Sequence, residues 1–124
     1  MEKLVNCGII IEVECIEMIS GGNQKFEIIL LTTDKLKYKI VFDFVWDMRF
    51  SIESGYNVRS SKFLHQEKEK SSVLLIENSE YIKYFENQVS GTRPINALKN
   101  YILFDAIDTV VEILTIKEPM LVMI

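Results

Sequence analysis

KYKIVFDFVWDMRFSI, residues 37–52, alternates between apolar and polar residues along its length. The even positions Tyr38, Ile40, Phe42, Phe44, Trp46, Met48, Phe50 and Ile52 are apolar. Most odd positions, Lys37, Lys39, Asp43, Asp47, Arg49 and Ser51, are polar. A period of two is that of a β-strand with one buried face and one wet face. Fifteen or more extended residues reach about 50 Å, whereas a compact domain of this length is roughly 35 Å wide. The strand must therefore bend, bulge or pass from one sheet to another. The alternation persists on both sides of any break, so both halves face a core. The bend is expected between Trp46 and Ser54, with Phe44 in the core between Phe42 and Trp46.

Upstream, residues 6–19 (NCGIIIEVECIEMI) are rich in β-branched residues and read as a strand. Ser20-Gly21-Gly22-Asn23 is a turn signal, because Gly and Asn tolerate positive φ. Residues 24–32 read as the second strand of that hairpin, and Thr33-Asp34-Lys35-Leu36 as a turn into the long strand. Downstream, Ser54-Gly55-Tyr56-Asn57 reads as a turn or bulge and Val58 to Leu64 as a weaker strand. His65 to Ser71 reads as a mixed-charge loop, and Val73 to Ile76 as a short buried strand. A helix opens at Asn78-Ser79-Glu80, where Asn or Ser caps and Glu favours the positive end of the dipole. Ile82, Phe85 and Val89 share one helical face. Gly91, in a left-handed conformation, and Pro94 stop the helix. Residues 98–105 and 109–116 read as a last hairpin about Ala106-Ile107-Asp108, and Pro119 precedes the apolar tail MLVMI. The expected fold is mainly β (α+β): an antiparallel coiled sheet or partial barrel of seven or eight strands, with one helix near residues 79–90. A sandwich is the second arrangement.

The same C-terminal third carries a resemblance. ENSEYIKYFENQVSG, residues 77–91, then LKNYILFDAIDTVVEIL and Pro119, resembles a small bacterial β-rich family. The shared features are the Glu-Asn-Ser helix start, Tyr81, Phe85 and a strand pair split by the turn from Asp105 to Asp108. Asn100 stands where such sequences often carry His. The resemblance spans about residues 77–119 and implies a β-rich fold and a bacterial source. It implies no activity.

At 124 residues the chain is expected to form one domain with a core that needs neither metal nor disulfide. With 48% hydrophobic and 26% charged residues it has the profile of a folded globular protein rather than a disordered one. A net charge of −4 argues against a general binder of nucleic acid, which clusters Lys and Arg. Cys7 and Cys15, if on one extended strand, lie roughly 26 Å apart, too far for a bridge. Two free thiols suit a reducing cytoplasm. Cys7 to Ile11 lacks a basic leader and a cleavage site, and no apolar run is long enough to span a bilayer. No membrane association is expected.

Groups for catalysis are scarce. His65 is the one histidine and falls in the charged loop. One His with two separated Cys does not make a common zinc site. No phosphate loop, dinucleotide fingerprint or nucleophile elbow is present, so neither a cofactor nor a metal is expected and the chain leans away from being an enzyme. The odd face of the long strand offers Asp43, Asp47, Arg49 and Glu53 as a carboxylate–guanidinium row, with neighbours about 6.6 Å apart. A solvated face with cross-strand ion pairs is the ordinary reading of such a row. The functional one is a recognition surface, since Arg presents a planar fork and Trp46 lies at the suspected bend. Thr92-Arg93 after the helix is a weaker anion-binding candidate. These residues make the expected function that of a non-catalytic cytoplasmic binding protein, an inhibitor or immunity-type protein docking a basic protein partner through Asp43, Trp46, Asp47, Arg49, Glu53 and Arg93. The alternative is a small-ligand site or enzyme at a barrel mouth around Asp47 and Arg49.

Overall fold

The computed structural model describes residues 2–51, 71–88, 97–107 and 109–124. Within them the chain forms β1 (Lys3–Asn6), β2 (Val13–Gly22), β3 (Lys25–Thr32), β4 (Lys37–Phe42), β5 (Val45–Ser51) and β6 (Val73–Glu77). Helix α1 (Glu80–Gln88), β7 (Lys99–Phe104), β8 (Val110–Thr115) and β9 (Met120–Met123) follow. Every pairing is antiparallel, in two sheets ordered β1-β6-β7-β8-β5 and β2-β3-β4-β9. The mainly β, antiparallel expectation with one helix near residues 79–90 holds, the described helix being Glu80–Gln88; there are nine described strands, and the two sheets do not close into a barrel.

The sheets face each other across one core. Val13, Ile28, Leu30, Ile40 and Phe42 come from the four-stranded sheet, and Val73, Tyr101, Leu103, Val111 and Ile113 from the five-stranded one. Phe42 and Tyr101 meet edge to face across the gap, ring centroids 5.9 Å apart. The other face of the five-stranded sheet carries a second cluster of Leu4, Leu74, Ile76, Ile102 and Val110. Burial on both faces is why β6, β7 and β8 are nearly continuous apolar runs instead of alternating ones.

The stretch quoted at the outset passes from one sheet to the other, but at Asp43-Phe44 rather than between Trp46 and Ser54. Phe44 takes φ 53° and is 51% exposed, so the expectation that it lies in the core is corrected. A left-handed residue reverses the strand's parity, and Val45 turns into the core in its place. A bulge between Val45 and Asp47 then restores the even register, and Met48 packs on the core.

The N-terminal strand expected over 6–19 is also two strands in two sheets. Gly8, at φ 95°, allows the break, and Asn6 Oδ1 accepts from its N–H at 2.6 Å. Cys7 and Cys15 are consequently not on one strand; both are free. The β2–β3 hairpin turns through Asn23 and Gln24, both at positive φ, with Gly22 opposite Lys25. Gly21, at φ 150°, leaves no room for a Cβ, which would meet the Lys25 carbonyl oxygen. At the last hairpin Asp105 accepts from the N–H groups of Ile107, Thr109 and, in the other sheet, Ile16. On α1 it is Tyr81 that is buried, while Ile82 and Phe85 are half-buried. The features expected at Ser54–Asn57, Val58–Leu64, Gly91 and Asp108 lie outside the described residues.

Candidate functional site

Helix α1 is fastened at its start. Ser79 caps it: its Oγ accepts from the N–H of Ile82 at 3.0 Å and lies 2.8 Å from Asn100 Oδ1, to which the hydroxyl donates. The buried Glu2 carboxylate accepts from the N–H of Glu80 at 2.9 Å, where the helix dipole favours an anion. One residue on, Tyr81 drops onto β5 of the five-stranded sheet. Its hydroxyl donates to Asp47 Oδ2 at 2.7 Å. The Arg49 guanidinium carbon stands 3.9 Å from the centre of its ring. Arg49 also bridges to the buried Glu112 of β8, Nη2 to Oε2 at 3.2 Å, directly across the strand pair.

Asp47 and Arg49 do share one face, as their spacing on a strand requires. That face is the outer side of the five-stranded sheet, and Tyr81 occupies the space over it. Burial, reinforced by the hydrogen bond to Asp47, holds the Tyr81 phenol protonated well above its ordinary range. The protonated phenol ties the helix to β5 through its hydrogen bond to Asp47. Neither described pocket includes Asp47 or Arg49: one, of about 360 Å³, lies by Ile10–Glu12, Thr32–Asp34 and Tyr38, and one, of about 230 Å³, by Ile16, Ile19 and Phe50.

Asp43 is separated from that row by the passage between the sheets and belongs to a second locus. There the β4–β5 and β8–β9 connections run side by side. The buried Thr115 hydroxyl donates to the Asp43 carbonyl at 2.6 Å, and Val45 N–H donates to the Gln24 carbonyl at 2.9 Å. Lys117 Nζ lies 3.8 Å from Asp43 Oδ2 and 5.9 Å from the centre of the Phe44 ring. Trp46, in the bulge two residues on, is 38% exposed, and Ile116 is exposed beside Lys117. Glu53 and Arg93 lie outside the described residues. Among the described residues no three His, Cys, Asp or Glu side chains are grouped to hold a metal ion. No described helix is long and apolar enough to cross a membrane.

Glu112 and Lys117 are participants that residue spacing did not single out, whereas Tyr81 stood among the shared features of the helix. Glu112 had a signal: a lone charge within VVEIL needs a cation nearby if the strand is buried. Lys117 had none, since it acts across a distance set by the fold, and the partners of Tyr81 are set in the same way. The chain matches no family model, no curated protein and no solved structure, and the resemblance over residues 77–119 carries no further argument.

Proposed function

We propose that this chain is a non-catalytic binding protein that docks a basic protein partner through the corner where β4 passes into β5, as an inhibitor or immunity-type protein does. The observation that carries the reading is Phe44: a bulky residue held in the left-handed region with half of its surface in water. Gly or Asn would fill such a position with less strain, and strained backbone gathers where a surface is shaped for use. Its ring already faces one ammonium group, that of Lys117, so an Arg or Lys from a partner meets a surface suited to cations. Trp46, exposed two residues on, supplies a second aromatic anchor, and Asp43 with the net charge of −4 supplies the attraction. Two free thiols suit a cytoplasmic site of action. The role of Asp47 and Arg49 in this reading is indirect, since they brace β5 beneath Tyr81.

The test compares the wild-type chain with the Phe44→Ser/Trp46→Ala variant and with Asp43→Lys, each immobilised and exposed to lysate of the source cell. Captured proteins are quantified by mass spectrometry at low and high salt. The reading expects a basic protein retained by the wild type, lost from both variants, and released by salt. Equal retention by all three chains would remove the corner from the docking surface.

A further inference from the structure

The four sheet edges are not defended alike. β1 carries Lys3; β2 carries Glu14 and Glu17 and two register shifts; β5 carries Asp47, Arg49 and its bulge. Charges and bulges of this kind keep an edge strand from pairing with another chain. β9, Met120-Leu121-Val122-Met123, has no charge and pairs with β4 without a shift. Among the described residues no strand pairs with its far side.

The hydrogen-bonding pattern of that edge is defined. Ile124 N–H donates to the Lys37 carbonyl, and the register continues through Lys39 opposite Val122 and Val41 opposite Met120. In an antiparallel ladder hydrogen-bonded and non-bonded pairs alternate. The backbone groups of Met120, Val122 and Ile124 are therefore turned to β4, and the N–H and C=O of Leu121 and Met123 point away from it.

We propose that β9 pairs antiparallel with β9 of a second copy, about a two-fold axis at Val122, joining the two four-stranded sheets into one. In this register Leu121 faces the partner's Met123, and every outward N–H and C=O of both strands is used. Sliding the pair so that Met123 faces the partner's Pro119 leaves the Met123 carbonyl without a donor, because proline has no N–H. Met120, Val122 and Ile124, all exposed on the outer face, meet apolar side chains across the axis. A second copy is the occupant because it repeats this apolar alternation position for position, while the edge holds no charge that would select a partner of another kind. A two-fold pairing closes on itself and leaves no new β9 edge.

Sedimentation of the full chain over a range of concentrations tests the pairing. The mass should rise from 14.4 kDa toward twice that value. Val122→Lys sets two ammonium groups against each other at the axis and should weaken dimerisation at least about tenfold. Lys39 stands directly opposite on β4, so the variant should also lose a little stability in the monomer. Val122→Cys supplies a second reading that does not depend on that variant folding. Cα atoms of a central non-hydrogen-bonded pair are about 4.5 Å apart, within reach of a disulfide. Mild oxidation should therefore give a covalent dimer that neither the wild type nor Lys25→Cys gives. A wild-type chain of 14.4 kDa at every concentration overturns the proposal. So does a dimer that Val122→Lys leaves intact and Val122→Cys fails to cross-link.

Discussion

The Tyr81 hydroxyl and the Asp47 carboxylate, 34 positions apart in the chain, meet at 2.7 Å and tie helix α1 to the edge strand β5. Tyr81→Phe removes this bond and keeps the ring under Arg49. A hydrogen bond to a charged group contributes about 1.5–3 kcal/mol when buried. Asp47 is exposed, so the loss should be smaller, about 1 kcal/mol by urea unfolding at unchanged m. Tyr81→Ala, which also empties the buried site, should lose about 3 kcal/mol or more. Equal losses from the two variants would mean that the ring packs against nothing of consequence.

Arg49 answers a charge that the sheet has buried. Glu112 is 5% exposed and Arg49 is 46% exposed. Stripping the cation from a buried pair costs about 3–5 kcal/mol; with half of the guanidinium in water, Arg49→Met should cost about 1–2 kcal/mol. Adding Glu112→Gln to Arg49→Met should recover part of that loss. A double-mutant cycle measures the coupling, and a coupling energy of zero would dismiss the pair as a stabilising contact.

Phe42 and Phe44 are two apart in sequence and opposite in environment. Phe42→Ala should cost about 3–5 kcal/mol, since its side chain is fully buried. Phe44→Gly relieves a left-handed residue and surrenders little buried area, so the change should lie within about 1 kcal/mol of zero. Chemical denaturation of the pair distinguishes them. A large loss at Phe44 would contradict its exposure.

Alkaline pH should undo the core at Tyr101. Burial is the main reason its phenol is pushed up to about 12, from 10.0 in an unfolded chain. The folded state therefore holds a proton that the unfolded state gives up. This contribution is complete below pH 10.0 and is lost as pH rises toward about 12. Melting temperature should fall over that window, and less steeply in Tyr101→Phe. The part of the phenolate absorbance that Tyr101→Phe removes should appear with unfolding and not before it. Tyr101→Phe with an unchanged pH profile would assign the fall to other groups.

What the sequence determined by itself is what a period, a turn or a cap encodes locally. The alternation over 37–52, the turn signal of Gly21-Gly22-Asn23 that lies against the observed Asn23-Gln24 turn, the apolar run of β6 and the Ser79 cap each involve residues a few positions apart. Their physics, strand pleat, positive φ and orphan amides, acts without the rest of the chain. Which sheet a strand joins is different in kind, because a ladder is completed by residues far away in sequence. Nothing between Asp43 and Trp46 is a glycine or a proline, yet the chain changes sheets there, since Thr115 and Gln24 hold the backbone on either side. The same holds for Asp47 and Arg49. Their common face follows from their spacing, but whether it meets water or a helix depends on Tyr81 and Glu112, which only the tertiary structure brings to it.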